Sequence, residues 1–375
     1  MVSYKYKLYN NKRVKHLNNM LWEACFVWNH ALALQRRYYK LFKKYISKVD
    51  MQKHFAKRIH RTYLHSQSVQ EVLQRLDTAY VRFFKHKAKR PPKFKKHTDF
   101  SSFVYKQSGY KLTDGVFHIN SVNKDYRYHN SRKYEGNVKQ IRFKKSPNGC
   151  WFIYVITDAV KSPIEKTHDG ASVGIDFGMK TYLTMSDGNT VSNPQFLRLD
   201  LETLRRLSKK LSSKHHDSNH RKCARKALSS FHEHVANKRK DFQWKLAHEL
   251  CKRYDYIFLE DLSMYSMATH KNWGRKIHDL AHSQFVNILK QVASRYGCVV
   301  HEISRWYASS KMCSCGYKNE QLSLHEREWV CPHCGAHHDR DLNAAQNILR
   351  RGIYELASKS KTSEVNTERL LAQAC

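Results

Sequence analysis

The sequence has little glycine and proline and no long apolar run. Only 13 of its 375 residues are glycine and 6 are proline, which excludes a low-complexity or collagen-like chain. Because no stretch of about 18 consecutive apolar residues occurs, we predict no membrane-spanning helix. The first residues are basic and lack the apolar centre of a secretion signal. We therefore expect a cytoplasmic protein of bacterial or archaeal type, associated with the nucleoid.

Acidic residues are also few relative to basic ones. The chain carries 68 Lys and Arg against 32 Asp and Glu, which gives a formal net charge of +36. Small soluble domains are comfortable at a net charge of about 2–8, and a larger excess destabilises a compact fold unless a polyanion neutralises it. Because basic residues recur along almost the whole chain, they predict a long nucleic-acid footprint. Charge alone does not separate a nuclease from a histone or a ribosomal protein.

The first hundred residues are mostly helical in period. Tyr4–Tyr9 is predicted as a strand, and residues 12–87 as helices. One buried stripe is predicted in the last of these helices, formed by Val69, Leu73, Leu76, Tyr80 and Phe84. Two prolines then interrupt a basic run from Lys85 to Lys96. This run is either a plain solvated linker or a linker that follows phosphates, and its interleaved aromatic residues favour the second interpretation.

The remainder of the chain alternates strands with helices. In residues 100–160, Asn148-Gly149 predicts a hairpin between strands 138–145 and 150–158. A second unit starts near Ala171. Its predicted elements are strands Val173–Asp176 and Tyr182–Ser186, helices over 199–253, strand Tyr256–Leu259, a helix over Ile277–Val292 capped by Gly297, strand Cys298–Ile303 and helix Asp341–Arg350.

Four of the ten cysteines lie close together: Cys313, Cys315, Cys331 and Cys334. In a chain without a secretion signal, such a cluster indicates metal binding rather than disulfides. Four thiolates suit tetrahedral zinc, whose paired ligands are normally spaced by about two to four residues. The first pair departs from this spacing, because one residue separates its cysteines. A nearby histidine could replace a thiolate (His333, His337 or His338), and a zinc-free remnant is the alternative.

Three acidic residues stand where an apolar strand ends or a helix begins. Asp176 closes Val-Gly-Ile-Asp, Glu260 closes Tyr-Ile-Phe-Leu-Glu, and Asp341 opens a helix that contains two adjacent alanines. Two-metal phosphodiester hydrolysis needs carboxylates that converge on ions about 3.5–4 Å apart, and Mg²⁺ prefers oxygen ligands. Each acid also has a plainer interpretation as a turn or helix-cap residue. Asp261 and Asp339 are the second choices.

The order of these motifs resembles the split RuvC nuclease domain of the TnpB family and of the related type V CRISPR effectors. The family motifs G-I-D-x-G, L-E-D-L and D-R-D-x-N-A-A match at Asp176, Glu260 and Asp341. Shorter matches lie at Asn237–Phe242, Ser309–Cys313 and, more loosely, Gln70–Phe84. The resemblance implies that the three acids bind two Mg²⁺ ions (Mn²⁺ is an alternative) and are the catalytic residues, while the four cysteines hold a structural Zn²⁺.

The resemblance also implies an architecture. The fold class would be α/β with separate β and α modules, in which an RNase H-like (RuvC) nuclease domain contains an inserted zinc ribbon. An N-terminal β-barrel-like wedge module would be interrupted by a helical recognition insert. The implied boundaries are residues 1–10 and 100–168 for the wedge, 11–99 for the recognition module, 169–308 and 340–356 for the nuclease domain, 309–339 for the zinc ribbon and 357–375 for a disordered tail.

By the same resemblance, the partners are a guide RNA and a target DNA, bound by a monomer. The activity would be RNA-guided DNA cleavage next to a short motif, as in effectors that hold the guide–target duplex by shape and charge. Gln67 and Gln70 would share a helix face and read adenine edges, although they could simply be exposed helix residues. Further expected nucleic-acid contacts are Lys93, Lys95, Lys96, Lys238 and Arg239. Four aromatic residues could stack on bases, but core packing is favoured for them: Tyr105, Trp151, Phe152 and Tyr154.

Three other functions are compatible with the motifs. A catalytically inactive RNA-guided repressor would bind DNA without cutting, but such relatives lose an acid of the nuclease site, and here all three are present. An RNA-independent nuclease or transposase accessory would lack a defined bound RNA. A basic zinc-ribbon transcription factor would not need a nuclease scaffold of this size.

Overall fold

The computed structural model describes residues 1–9, 14–58, 62–160, 162–164, 170–263, 269, 274–323 and 325–360. The chain divides into two compact units, Met1–Lys161 and Ser162–Cys375. None of the helices in these described ranges is long and apolar enough to cross a membrane. The predicted tail lies outside the described residues from 361 onwards, but its first residues continue the last helix as far as Ser360.

The N-terminal unit combines antiparallel strands with helices that follow its first strand. The helices are α1 (Val14–Phe42), α2 (Lys48–Arg58) and α3 (Ser66–Phe84). The strands are β1 (Val2–Lys7), β2 (Ser102–Tyr105), β3 (Tyr110–Thr113), β4 (Val116–Ile119), β5 (Lys124–Arg127), β6 (Val138–Lys145) and β7 (Trp151–Thr157). One sheet has the order β1-β7-β6-β2, and β3, β4 and β5 form a second sheet. The chain therefore returns to pair with its own first strand after the helices.

The predicted hairpin is confirmed. Strands β6 and β7 pair with Lys145 opposite Trp151, and the Ser146 amide donates to the Cys150 carbonyl over 2.8 Å. Gly149 adopts a φ of 86°, which favours glycine at this turn. Alternation along β7 places Trp151 in the core, and Tyr105 of β2 is fully buried in the same core cluster. For these two residues, core packing is the observed use.

The predicted stripe on α3 is confirmed at four of its five positions. Val69, Leu73, Leu76 and Tyr80 are all buried. Phe84 was predicted wrongly, since its side chain is 53% exposed. It is the last residue of the helix, so its ring has no neighbouring layer to cover it and contacts Tyr45 at the rim instead.

The C-terminal unit is built around a mixed five-stranded sheet. Its strands are β8 (Ser172–Phe177), β9 (Thr181–Met185), β10 (Thr190–Ser192), β11 (Tyr256–Glu260) and β12 (Val299–Ile303), with a separate β13 (Glu328–Val330) and β14 (His337–Asp339). Its helices are α4 (Phe196–Leu199), α5 (Leu201–Ser212), α6 (Asn219–Arg253), α7 (Gly274–Leu280), α8 (His282–Tyr296) and α9 (Arg340–Ser360). The sheet order is β10-β9-β8-β11-β12; β8, β9 and β10 are antiparallel, while β11 and β12 run parallel to β8.

Helices cover both faces of this sheet. Val173 and Ile175 of β8 belong to a core cluster that includes residues of α6 and α8. Because side chains alternate along a strand, Gly174 and Asp176 face the opposite side. That side is occupied by α9, and Phe258 of β11 packs there in a second cluster. The residues of β8 that face α9 are therefore a glycine and an acid rather than apolar side chains.

The helix predicted over Ile277–Val292 is interrupted, which corrects the sequence-based prediction. It consists of α7 and α8, separated by Ala281, whose φ of 47° lies in the left-handed region. Apolar periodicity continues across the break because both helices contribute buried residues to the core, so the sequence pattern does not reveal it. The predicted cap at Gly297 is confirmed, with a φ of 70° at the end of α8.

At Gly174, the backbone of α9 lies close against β8. A Cβ atom at this position would lie 2.5 Å from the backbone nitrogen of Leu349 and even closer to the carbonyl oxygen of Ala345. Both obstacles are backbone atoms, which cannot rotate away. We expect Gly174→Ala to lower the free energy of unfolding by about 3 kcal/mol because the helix must shift away from the strand.

Urea-induced unfolding of the full chain measures this effect. The matched control is Ser172→Ala on the same strand, whose buried hydroxyl has no hydrogen-bond partner among the described residues. We expect the control to unfold like the wild type. Equal stability of the Gly174→Ala and Ser172→Ala variants would contradict a close approach of α9.

Candidate active site and metal centre

The three acids singled out in the sequence converge at one edge of the five-stranded sheet. Asp176 and Glu260 follow Ile175 and Leu259, which are register partners in the parallel strands β8 and β11. Asp341 is the second residue of α9, the helix that packs on β8. Parallel strands end at the same edge of a sheet, so the fold carries the first two carboxylates to one place and the helix adds the third.

The electrostatics of Asp176 reflect this convergence. Burial of its carboxyl group, followed by the negative charges of Glu260 and Asp341, raises its pKa from 3.8 to about 7, and the positive charge of Arg340 opposes the shift. Mutual repulsion between buried carboxylates is the condition that a bound cation relieves. The three acids are therefore candidate ligands for hard divalent cations.

Glu260 is held by a residue for which the sequence predicted no role. Burial raises the pKa of Glu260, and a hydrogen bond donated by the Ser309 hydroxyl to its carboxylate opposes this shift. The carbonyl oxygen of Ser309 in turn accepts a hydrogen bond of 2.8 Å from the Asn347 side chain of α9. Ser309 thus connects the acid of β11 to the helix that carries Asp341.

Asp341 is bound by two arginines that the sequence-based site did not include. Its carboxylate lies 2.6 Å from Arg327 and 3.2 Å from Arg340. Arg340 lies inside the D-R-D motif, and its positive charge between two acids is a signal from which its ion pair with Asp341 could have been predicted. Arg327 lies 14 residues before Asp341 in the chain, and only the fold brings it close.

The second-choice acids have other contacts. Asp339 accepts a hydrogen bond of 2.8 Å from the Leu342 amide, so it is the residue that caps the start of α9. Asp261 is exposed and forms an ion pair with Arg305. The capping role that was the plainer interpretation of Asp341 therefore belongs to Asp339.

A cleft of about 540 Å³ lies in the same unit and includes Arg327 in its lining. Lys180 and Arg198 add two further cations to the cleft, and Asp279 is the acid among its lining residues. Because Arg327 also contacts Asp341, the cleft is connected to the carboxylate cluster by a basic side chain. Much of the remaining lining is apolar, so the three basic side chains are the groups in the cleft that could contact a phosphate backbone.

The four clustered cysteines lie together as the sequence predicted, despite the short spacer between Cys313 and Cys315. Their sulfur atoms all lie within 4.8 Å of one another, with 3.5 Å between Cys313 and Cys334 and 3.8 Å between Cys315 and Cys331. A tetrahedral zinc ion with Zn–S bonds of about 2.3 Å requires sulfurs about 3.8 Å apart. The observed separations fit this geometry, so the cluster is a candidate zinc site.

The histidines considered as replacement ligands are placed differently from one another. His338 lies nearest, with its Nε2 atom 3.1 Å from the Cys313 sulfur. The His333 ring stacks on Tyr317, and His337 is exposed near Glu328. With four sulfurs already assembled, His338 is an outer neighbour of the cluster that can orient Cys313.

The cysteine cluster is connected to α9 by buried side-chain amides. Asn343 and Asn347 of α9 both donate to the Met312 carbonyl, over 2.8 Å and 2.7 Å. Met312 immediately precedes Cys313. The position of the first cysteine pair is therefore linked to the first turns of α9, which carry Asp341.

The residues predicted to contact nucleic acid have diverse environments. Gln67 is half-buried, and its side-chain oxygen accepts backbone hydrogen bonds from Gln107 and Ser108 over 2.9 and 3.2 Å, while Gln70 is exposed. Three of the predicted cations, Lys95, Arg239 and Lys238, have protein partners. Lys95 lies 3.9 Å from the centre of the Trp28 ring, and Arg239 donates to the Asp279 carbonyl.

Lys93, Lys96 and Lys238 are the remaining predicted contacts. The first two are exposed, and Lys238 lies 3.7 Å from Asp200 at the surface. The linker that carries Lys93 and Lys96 is not loosely solvated, because its backbone is attached to α1. Carbonyl groups at Pro92, Lys93 and Lys95 accept hydrogen bonds from α1 side chains.

Comparisons with known proteins agree with the motif pattern. A family model described as "Probable transposase" matches residues 154–291, and one described as "Cas12f1-like, TNB domain" matches residues 282–348. A "Putative RNA-guided DNA endonuclease" of Streptomyces pristinaespiralis is 30% identical over 288 residues, covering 76% of this chain and 71% of the relative. The "Putative RNA-guided DNA endonuclease InsQ" of Escherichia coli (strain K12) is 29% identical over 359 residues, covering 89% and 88%.

A solved structure also has a similar fold. The chain in a Cas12f1–sgRNA–target DNA complex superposes with a TM-score of 0.59 at 15% identity, covering 90% of this chain and 83% of that one. At this identity the likeness concerns the fold, which is a mixed α/β architecture with a zinc-ribbon-like element. Together with the sequence matches, it confirms the predicted resemblance. The chain belongs to the TnpB family.

The raised pKa of Asp176 predicts a pH-dependent stability. The folded state binds a proton between pH of about 4 and 7 that the unfolded chain releases, so the free energy of unfolding falls as pH rises through this window. Without divalent cations, we expect Asp176→Asn to melt at a higher temperature than the wild type at pH 8, with the difference narrowing towards pH 4.

Thermal unfolding between pH 4 and 8 measures this difference. Added Mg²⁺ should raise the melting temperature of the wild type at pH 8 and have a smaller effect on Asp176→Asn. Asp261→Asn is the control; it loses the ion pair with Arg305 and should not be stabilised at pH 8. If the melting temperatures of the wild type and of Asp176→Asn change in parallel with pH, repulsion between Asp176 and the other two acids is ruled out.

The sulfur geometry predicts a structural zinc ion. We expect Cys331→Ser, which removes a buried thiolate, to lose most bound zinc and to lower the melting temperature by about 5 °C. Atomic absorption and thermal unfolding measure the two effects. Cys223→Ser is the control because Cys223 is exposed on α6 outside the cluster. Unchanged zinc content in Cys331→Ser would exclude the cluster as the site.

Proposed function

We propose that this protein is an RNA-guided DNA endonuclease whose C-terminal unit is an RNase H-like (RuvC) nuclease domain. The observation that carries the proposal is the convergence of Asp176, Glu260 and Asp341 on one face of the sheet. The strand order, with three antiparallel strands followed by two parallel ones, supports the RNase H-like assignment. The names of the two curated relatives support the RNA-guided activity.

The three carboxylates are proposed to hold two Mg²⁺ ions. The donor set fits this ion, since it consists of oxygen ligands and the burial of like charges leaves a deficit of positive charge. When bound, such ions supply an activated water and stabilise the leaving oxygen of a phosphodiester. No nucleophilic side chain is needed. Arg327, Arg340 and Ser309 contact the acids directly, and Asn347 holds Ser309 through its carbonyl.

The residues around the three acids would have different roles in such a reaction. Ser309 orients the Glu260 carboxylate through its hydroxyl. Arg327 and Arg340 neutralise Asp341, and Arg327 is placed to hold a phosphate of the substrate, because it also lines the neighbouring cleft beside Lys180 and Arg198. The cysteine cluster, through Met312 and the two asparagines of α9, fixes the start of the helix that carries Asp341.

The remaining modules are proposed to bind the guide RNA and the target DNA. A net charge of +36 requires neutralisation over a large area, which a guide–target duplex supplies. In this proposal the strands of the N-terminal unit form the wedge module, α1, α2 and α3 form the recognition module, and cleavage occurs next to a short DNA motif. Gln70 is the better placed of the two glutamines for base contacts, since the Gln67 oxygen already accepts two amides.

The nuclease assignment predicts the effect of removing each acid. With guide RNA and target DNA, Asp176→Ala, Glu260→Ala and Asp341→Ala should each reduce cleavage about a thousandfold or more while still binding the guide and target, because each removes an ion ligand. Asp261→Ala, adjacent to Glu260 but paired with Arg305 at the surface, should cleave within about tenfold of the wild type.

The RNA-guided part requires a separate experiment. The protein is expressed with its native flanking DNA, purified, and its bound RNA is sequenced. A discrete RNA with a constant scaffold is the expected result, and it supplies the guide for the cleavage assay. If no defined RNA is recovered but DNA is still cut, the protein is an RNA-independent nuclease. If a guide is bound and no cutting occurs, it is an RNA-guided repressor.

A further inference from the structure

A row of aromatic rings lies on the exposed face of α1, in the N-terminal unit. Trp22, Phe26 and His30 recur every four residues, and His54 of α2 extends the row. Successive ring centres are 6.2, 5.8 and 5.8 Å apart, and the planes of Trp22 and Phe26 differ by only 13°. Trp22 is 61% exposed and Phe26 43% exposed. Apolar area of this kind is costly to leave in water and marks a binding surface.

The first three rings form one wall of a groove of about 520 Å³, and residues 95–98 form the other wall. We call it the Trp22 groove. Its second wall is held in place by α1: the Asn29 side chain donates to the Lys95 carbonyl over 2.8 Å and accepts from the Lys95 amide over 2.9 Å. The Trp28 indole donates to the Lys93 carbonyl over 3.1 Å. The groove is therefore preformed, which reduces the ordering cost of binding.

The surroundings of the groove are basic. Glu23 is the one acidic residue in the sequence of α1, and it points into the interior, where it accepts hydrogen bonds from the backbone amides of residues 62–64. The exposed Lys96 and His97 line the groove, and none of its lining residues is acidic. An aromatic wall that contains the nearly parallel rings of Trp22 and Phe26, beside cations, is complementary to bases joined by phosphates.

We propose that the Trp22 groove binds a single-stranded nucleic acid, stacking unpaired bases on Trp22 and Phe26 and contacting the phosphates through Lys96. Stacking is available only to unpaired bases, because a duplex presents its phosphates and base edges and hides the base faces. The proposal rests on the proposed function and deepens it. Pairing of a guide RNA with one DNA strand displaces the other DNA strand, and unpaired segments of the guide RNA are single-stranded as well. A protein partner would also cover the rings, but the basic rim favours a polyanion.

Fluorescence anisotropy of labelled oligonucleotides tests the groove. The full-length protein, freed of nucleic acid and without added divalent cation, is titrated with a short single strand and with an abasic strand of the same length. Both strands carry the same phosphates, so their difference in affinity isolates base stacking. The measurement needs neither a guide nor cleavage, and a failure of the proposed nuclease function would leave its outcome unaffected.

We expect Trp22→Ala with Phe26→Ala to weaken binding of the normal strand about tenfold or more, and to leave binding of the abasic strand unchanged. The slope of affinity against salt should also stay unchanged, because no phosphate contact is lost. Lys96→Gln should weaken both strands and reduce that slope by about one. Tyr39→Ala, which removes an exposed ring elsewhere on α1, should keep the full preference for the normal strand.

Two results would overturn the proposal. In the first, the double alanine variant retains the wild-type preference for the normal strand. In the second, the variant changes the self-association measured by sedimentation while base preference is unaffected, so that a second copy of the chain is the occupant. If the double alanine variant folds poorly, Trp22→Leu with Phe26→Leu keeps the apolar area, removes the flat faces, and should lose the same preference.

Discussion

The close contact between α9 and β8 is the interaction on which the candidate site depends. It forms only because Gly174 has no side chain, so that backbone atoms of the helix reach the strand. At Gly352, one turn after Ile348, a Cβ would likewise collide with the Phe258 ring of the neighbouring strand β11. Two glycines thus set the distance between helix and sheet. The start of the helix then brings Asp341 beside two acids that belong to the sheet, and a wider spacing would separate the carboxylates.

Repulsion between the three carboxylates destabilises the folded chain when all of them are ionised. The pKa of Asp176 rises to about 7 because its burial is reinforced by two further negative charges. The chain compensates in part through the hydroxyl of Ser309 and the guanidinium groups of Arg327 and Arg340. This is the pattern expected of a site built to receive cations, since a purely structural cluster would pair each acid more completely. In the proposed function, bound cations would offset this cost to the stability of the free protein.

The basic and aromatic residues also acquire their roles through contacts rather than through charge alone. Some predicted phosphate-binding cations are used inside the protein, such as Lys95 above Trp28 and Arg239 against Asp279. The contact of Lys95 with Trp28 and the hydrogen bonds between α1 and the linker hold the linker against α1 and so create a groove beside Trp22 and Phe26. Likewise, the cysteine cluster does more than close a small ribbon, because Met312 links it to Asn343 and Asn347 at the start of α9. The residues that stabilise these local structures therefore also shape the proposed binding and metal sites.

Local signals in the sequence determined much of this protein. Periodicity predicted most helices and strands, Asn148-Gly149 predicted the hairpin, and three family motifs predicted which acids converge, because each motif encodes a strand end or a helix start. The break at Ala281 and the exposure of Phe84 were not predictable, since apolar periodicity does not record where packing stops. Arg327 and Ser309 were missed as site residues because their partners are distant in the chain. Only the tertiary structure decided the contacts of Arg327 and Ser309. It also decided how four sulfurs meet despite a one-residue spacer, and it formed the groove on α1. All three features arise where elements that are separate in the sequence approach one another in space.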